Sequence, residues 1–462
     1  MSENYQMTKR SFVSTYIITV LLIVIGYLIL QGGQTRQNHT VVVLTFIINI
    51  LLFFLLLIHA IRKNSYSLNM MFWLFSFFFF GLAPLLQYHS AIYNWNLSPQ
   101  SSEIIKTNLY ILIFSVCYFL GYVVGEKTRI RTKTIEYKTK KSRLDILLLI
   151  SFLITVFVIW KVGFKNLLSS RTSSFGESGT SMDLIMNHVL RNIPLFTVVM
   201  HILYCREKKR INIKTIIAFI LFLVSCFPTS LSRNMMASFY GGLFIILFEK
   251  YRKKRWITYA IIFGLVLVFP AINVFRTFFE SSHSNILDSM ISSIKGAYTE
   301  AHYDAHQMFI SIQQYVSKFG FSYGKQLLGV LLFFVPRNIW SGKPYGTGQT
   351  AFTALAQHEF TNVSAPLVSE GYVNFGIIGI IIVGLLAGFI TSRLDKRYWS
   401  NETKRDALHI IYPFVVLKFF FMLRGDLLSS WAYTCAQIVV GYFIFVFSTK
   451  KSKPNKTLLS EE

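Results

Sequence analysis

Six arginines stand in or beside apolar sequence: Arg171, Arg191, Arg233, Arg276, Arg337 and Arg424. Arg233 follows Pro228-Thr229-Ser230-Leu231-Ser232, and Arg276 precedes Thr277-Phe278-Phe279. Arg337 follows Phe334-Val335-Pro336, and Arg424 follows Phe419-Phe420-Phe421-Met422-Leu423. A guanidinium keeps its charge at any working pH, and its planar fork donates two hydrogen bonds at once. Several converging on one place therefore suit a phosphate or pyrophosphate. The plainer use of any one of them is snorkelling to lipid headgroups or pairing with Glu280, Glu370 or Asp426.

The densest polar cluster is Glu300-Ala301-His302-Tyr303-Asp304-Ala305-His306. On a continuous helix His302 and His306 share a face at i, i+4, as do Glu300 and Asp304, and the two pairs point nearly opposite ways. That spacing gives no local site of two histidines and an acid for a metal, and Tyr303 stands where the HExxH pattern needs glutamate. A general base on a hydroxyl is the better chemistry, with Asp304, His302 and Glu370 as candidates. An amphipathic interfacial helix explains the same spacing. Lys418, His188 and Arg191 lie deeper in apolar runs, where charge is functional by default. No carboxylate is clearly central to any run, which weighs against proton- or sodium-coupled transport. Neither a G-x-S-x-G elbow nor a P-loop is present, so serine-hydrolase and ATPase readings have no support.

The elements that position these groups follow from composition. Of the 462 residues, 53% are hydrophobic and only 15% charged, well below the quarter or so charged in a soluble domain. A helix needs roughly 20 apolar residues to cross a bilayer. Twelve such runs are read, at about 12–30, 40–61, 70–88, 106–125, 144–162, 184–204, 212–231, 234–250, 256–278, 367–392, 408–424 and 430–449. The first is nearly a full span and lacks a small-residue cleavage site, so it is no removed signal peptide. The four cysteines have no paired spacing that would suggest a disulfide framework or a zinc site. The expectation is an all-α polytopic membrane protein, a single membrane domain over 1–462.

A net charge of +25 would suggest nucleic acid in a soluble protein. Here 31 of the 46 lysines and arginines fall on the side that carries both termini. By the positive-inside rule that side is cytoplasmic, so most of the charge is an orientation signal and no nucleic-acid partner is expected. The six arginines fall in, or within about two turns of, the opposite, external surface. One external loop, 280–366, is far longer than connections in compact proteins and rich in Tyr, Phe, His, Trp and Arg, so it is the expected catalytic or substrate layer. Its apolar stretch 326–335 is too short to span and is expected to lie at the interface. The tail 450–462, with four lysines and a proline, reads as disordered. Gly376, Gly379, Gly384 and Gly388 have the small-residue spacing that lets helices pack closely.

Val335-Pro336-Arg337-Asn338-Ile339-Trp340-Ser341-Gly342-Lys343-Pro344 and Ser369-Glu370-Gly371-Tyr372-Val373-Asn374-Phe375-Gly376 resemble Wzy-type oligosaccharide repeat-unit polymerases of bacterial surface polysaccharides. Ser232-Arg233-Asn234 and Leu423-Arg424-Gly425-Asp426 are similar to that family too, and the architecture of the whole chain agrees. Arg337 and Gly348 fit the arginine and glycine, ten residues between them, that recur in the family's external loops. The earlier loop departs, since Arg171 has Met182 where glycine is expected.

The resemblance implies a GT-C-like membrane glycosyltransferase of the bacterial cytoplasmic membrane. It would polymerise undecaprenyl-pyrophosphate-linked oligosaccharides on the external face, without metal or other cofactor. A chain-length regulator and a flippase of the same pathway are the implied partners. Arg233, Arg276, Arg337 and Arg424 would bind the leaving pyrophosphate. Asp304, His302 or Glu370 would take the acceptor proton. Arg171, Arg191, Gly348, Tyr345 and Trp340 would contact substrate, with Phe360 a further ring for sugar stacking. The competing classes are a flippase or other transporter, which calls for internal repeats and short loops, and a polysaccharide ligase, which sequence hardly separates from a polymerase.

Overall fold

The computed structural model describes residues 38–95, 97–129, 136–168, 181–265, 297–355, 363–400 and 406–452. Arg171, Arg276, Phe360, the first span, the far part of the ninth, parts of the long loop and the tail from 453 lie outside them. Eight helices among the described residues are long and apolar enough to cross a membrane. They are α1 (His39–Lys63), α2 (Leu68–Ser90), α3 (Ser101–Lys127), α4 (Lys141–Val162), α5 (Asp183–Lys208), α12 (Leu367–Trp399), α13 (Ala407–Arg424) and α14 (Leu427–Ser448). Between them come α6 (Ile213–Ser225), α7 (Arg233–Leu247) and α8 (Trp256–Phe263), then α9 (Ala305–Phe319), α10 (Lys325–Leu331) and α11 (Thr347–Ala354). The expected all-α polytopic class is what forms, and eight of the twelve expected spans have their helices.

The seventh and eighth expected spans are shorter than the apolar runs that carry them. Helix α6 has 13 residues and α7 has 15, about 20 Å and 22 Å at 1.5 Å per residue. Pro228 cannot continue α6, and Ser232 caps α7 by accepting from the Met235 N–H at 3.3 Å. The two ends of the turn between them are buried, with Cys226, Ser230 and Leu231 at most 2% exposed, while Phe227, Pro228 and Thr229 are half-buried. Arg191 reaches under it, with Nη1 3.4 Å from both the carbonyl and the hydroxyl of Ser230. The first turn of α7 therefore begins inside the bundle.

Helices that are apolar on every face must pack by shape. The closest pair is α3 with α12, where glycines let the backbones touch. A Cβ added at Gly121 would stand 2.1 Å from the Leu385 carbonyl oxygen, and one at Gly388 would stand 2.0 Å from that of Tyr118. Helix α12 is itself broken. Phe375 (φ −144°, ψ 23°) and Gly376 (φ 60°, ψ −139°) leave helical geometry, and the second is a left-handed conformation that glycine adopts at little cost. The arm 367–374 folds back so closely that a Cβ on Gly371 would lie 2.6 Å from the Gly379 carbonyl oxygen.

One end of the bundle is lysine-rich. There Asp395 of α12, 1% exposed, accepts from the N–H groups of Leu68 (3.0 Å) and Asn69 (3.1 Å) and from the hydroxyls of Tyr412 (2.6 Å) and Tyr122 (3.2 Å). One carboxylate thus ties α2, α3, α12 and α13. At the same end a two-stranded antiparallel ribbon pairs β1 (Glu136–Thr139) with β2 (Thr449–Ser452), so regular structure extends into the first residues of the segment expected to be disordered. The other end, here the loop end, carries the segment 297–355.

Backbone contact at Gly388 leaves no room for a side chain. Gly388→Val lowers thermal stability by about 1–3 kcal/mol or more, whereas Leu386→Val, on a side chain 54% exposed, leaves it nearly unchanged. Melting temperatures of the two purified variants in one detergent check this, and equal values would contradict the packing.

Candidate functional site

A cavity of about 540 Å³ opens at the loop end, within the usual range for small-molecule sites. Its walls come mainly from α5 around His188, the start of α7, His302, the last two turns of α13 and the first two of α14, with Phe79 of α2, Gln349 of α11 and Val363 completing the lining. The charged lining is mostly cationic. Arg233 is the first residue of α7, Arg424 ends α13, and Lys418 lies six residues, about 9 Å, deeper on the same helix. The Lys418 ammonium donates to the Tyr433 carbonyl at 3.2 Å. The Tyr433 ring stacks on His188 with centroids 3.5 Å apart and planes 5° from parallel. The N-terminus of α7 also faces this space, and the positive end of its helix dipole favours an anion there. At the start of α14 the Leu427, Leu428 and Ser429 N–H groups are already taken by Glu370 and Asp426.

Arg424 is held in place by a buried carboxylate. Its Nη2 is 3.1 Å from Asp304 Oδ1, and its Nε donates to the His302 carbonyl at 2.8 Å. Asp304 is wholly buried and also accepts from Trp95 Nε1 at 3.1 Å and from the hydroxyl of Ser364. These donors surround both oxygens, and Asp304 does not line the cavity. The geometry gives it the work of fixing Arg424.

The two histidines of the cluster part company. Residues 301–303 form a 3-10 turn, and α9 starts only at Ala305, so this stretch is not one continuous helix and the i, i+4 pairing does not form. His302 lines the cavity. Burial, with Arg233 and Arg424 nearby, pushes its pKa down to about 4, so it is neutral at pH 7 and free to accept a proton. His306 turns away into the core, with Nε2 2.9 Å from Asn108 Oδ1, and burial pushes its pKa down to about 3.

Glu370 is buried beside the cavity. It accepts from the Thr347 hydroxyl at 2.7 Å and from the Leu427 N–H at 3.2 Å, joining α11, α12 and α14. The acid that lines the cavity is Asp426, the N-cap of α14, which sequence reasoning placed only as a partner for arginine. Burial pushes its pKa up, while hydrogen bonds from Ser429 and from the backbone N–H groups of Leu428 and Ser429 pull it down.

Arg337 stays outside. It is exposed, donates to the carbonyls of Lys343 (2.5 Å) and Pro344 (3.1 Å), and lies 3.9 Å above the Tyr345 ring. With Lys343 donating to the carbonyls of Phe333 (2.6 Å) and Val335 (2.8 Å), the loop holds itself together. Trp340 and Tyr345 belong to this loop and do not line the cavity. Gly348 sits one residue before the lining residue Gln349. A Cβ on Gly348 would be 2.7 Å from the Ser364 carbonyl oxygen, so its smallness serves packing. Arg191 lies beneath the site, under the turn that leads to Arg233.

Of the sequence candidates, then, the fold brings together Arg233, Arg424, His302, Lys418 and His188. It adds Asp426, Tyr433 and a rim of amides and hydroxyls. The signal for the α14 contribution was present in the spacing: Asp426, Ser429, Ser430 and Tyr433 recur at three and four residues, one polar stripe on an otherwise apolar helix.

A family model described as O-antigen polysaccharide polymerase Wzy matches residues 12–456, nearly the whole chain. The chain belongs to this family. Comparison with curated proteins and with solved structures gave no match. Wzy polymerases are integral membrane, glycosyltransferase-like enzymes that join repeat units in polysaccharide biosynthesis. The resemblance read from the Arg337, Glu370, Arg233 and Arg424 stretches is thereby established at the level of family.

Asp304→Ala leaves Arg424 without its buried counter-charge and costs on the order of 3–5 kcal/mol, read as a fall in melting temperature. Asp304→Asn keeps part of the hydrogen bonding and loses less. An Asn variant as stable as the parent but without turnover would instead make Asp304 the base. His302 generates a second expectation. Between its ordinary pKa of 6.5 and about 4 the unfolded chain binds a proton that the folded chain does not. Stability is therefore present above pH 6.5 and falls as pH drops towards 4. Melting curves over that window should be flatter for His302→Gln than for the parent, and identical pH dependence would show that His302 is not held neutral.

Proposed function

We propose that the protein polymerises undecaprenyl-pyrophosphate-linked oligosaccharide repeat units by glycosyl transfer on the external face of the bacterial cytoplasmic membrane. The observation that carries this reading is the cationic cavity where Arg233, Arg424 and Lys418 converge with a neutral His302. Its position opposite the lysine-rich end supports the outward direction, by the positive-inside rule.

The reaction needs few parts. The acceptor hydroxyl of one lipid-linked unit attacks the anomeric carbon of the other chain. A glycosidic bond forms as the carbon–oxygen bond to pyrophosphate breaks, and its electron pair goes to the departing phosphate oxygen. Arg233 and Arg424, with Lys418 and the start of α7, stabilise that growing charge where water is scarce and fixed donors act strongly. The acceptor proton passes to His302 or Asp426, both of which line the cavity. A GT-C-like enzyme with this arrangement uses arginines where others use a metal ion, and the energy comes from the lipid pyrophosphate. The flippase reading gains nothing from the site, since the cationic groups gather at one end of the bundle.

Arg233→Ala and Arg424→Ala each lower turnover by about 10²–10³, the loss typical of one transition-state donor. In cells, single lipid-linked units accumulate and long chains vanish at normal protein level. Arg337→Ala, outside the cavity, retains long chains. Gel profiles of lipid-linked glycan check all three, and full-length chains in the first two would sink the pyrophosphate reading.

A further inference from the structure

The polar cavity has an apolar neighbour. A groove of about 330 Å³ runs between α7 and α8, with Leu417 of α13 at its side. It meets the cavity at consecutive residues of two helices: Met235 lines the cavity and Met236 the groove, as do Lys418 and Leu417. Along α7 it continues past Ala237 and Gly241 to Phe244, eleven residues from Arg233, or about 16 Å of helix. The one polar group of the wall is used elsewhere, since the Tyr240 hydroxyl donates to the Cys226 carbonyl at 2.7 Å. What remains is a hydrocarbon surface.

Gly264, on the α8 side, is the independent sign. Its φ of −58° and ψ of −46° are ordinary helical values, so the backbone does not require glycine. Among the described residues a Cβ built there meets no atom within 4 Å, so close packing does not require it either. A glycine at a helical position costs stability relative to alanine. Here its effect is to keep the groove open.

We infer that this groove holds the polyisoprenoid chain of the lipid carrier whose pyrophosphate occupies the adjoining cavity. The inference rests on the pyrophosphate reading above and extends it to the lipid. A lipid held by its headgroup at Arg233 and Arg424 must send its chain into the membrane, and the groove begins within one turn of Arg233. Headgroup and chain would then be read by one helix, its charged first turn followed by an apolar face.

The test uses full-length protein in nanodiscs of phosphatidylcholine, with undecaprenyl pyrophosphate and inorganic pyrophosphate as probes. Gly264→Leu and Ala260→Leu each fill the groove from α8 and require no change of backbone. Both should weaken undecaprenyl pyrophosphate by about tenfold, as chain segments lose their packing against the groove and return to bulk lipid, and leave inorganic pyrophosphate unchanged. Unaltered affinity for undecaprenyl pyrophosphate in both variants means that the groove holds only bulk lipid, and overturns the proposal. An equal loss for both probes, or a fallen melting temperature in both variants, overturns it as well. Arg233→Ala separates the two readings: it should weaken both probes. If it weakens neither while the groove variants still lose the lipid, the headgroup assignment fails and the groove stands.

Discussion

The pair that most of the site depends on is Arg424 with Asp304. A guanidinium at the end of a membrane helix is expensive unless its charge is answered, and Asp304 answers it from a wholly buried position. The same carboxylate takes hydrogen bonds from Trp95 and Ser364, so residues far apart in sequence are drawn onto one point. The ion pair spans 120 residues of chain, linking the start of α9 to the end of α13. Because the carboxylate is saturated by these donors, Arg424 is fixed in direction and its outer face is left towards the cavity.

The second constraint is the short pair α6 and α7. A turn at the membrane surface would have put Arg233 among headgroups. The turn, buried at both ends and braced by Arg191, places it instead at the wall of a cavity, in the first turn of a helix. Cation, helix dipole and neutral His302 then share one low-dielectric space, where an anion gains most. Proton acceptance and charge stabilisation are thus divided between neighbouring groups: burial, helped by the same arginines that attract a phosphate, keeps the imidazole uncharged.

Much of the fold was legible in the sequence. Apolar runs of full length gave the long helices within a few residues, because a membrane forces backbone hydrogen bonds to close locally. The glycine spacing at Gly384 and Gly388 marked a tight helix contact and became one. What could not be read were breaks. The turn at Asp304 interrupts a stretch whose spacing fits a continuous helix, and His302 and His306 separate as a result. Helix α12 breaks at Phe375 and Gly376 inside a stretch read as one span, because the short arm gains contacts with α9 to α11, among them the Glu370–Thr347 hydrogen bond, that a straight helix would forgo. Arg337 shows the same limit: its neighbours match the family, yet the proline- and glycine-rich loop turns it back on its own carbonyls.

The sequence alone determined the membrane class, the family and the set of cationic residues to follow, since hydropathy, charge bias and short motifs are properties of the chain. Tertiary structure alone decided which of those residues meet. Arg233 comes from α7, Arg424 and Lys418 from α13 and His302 from the turn before α9, and only their packing, with Arg424 fixed by a buried carboxylate, turns scattered charges into one cavity.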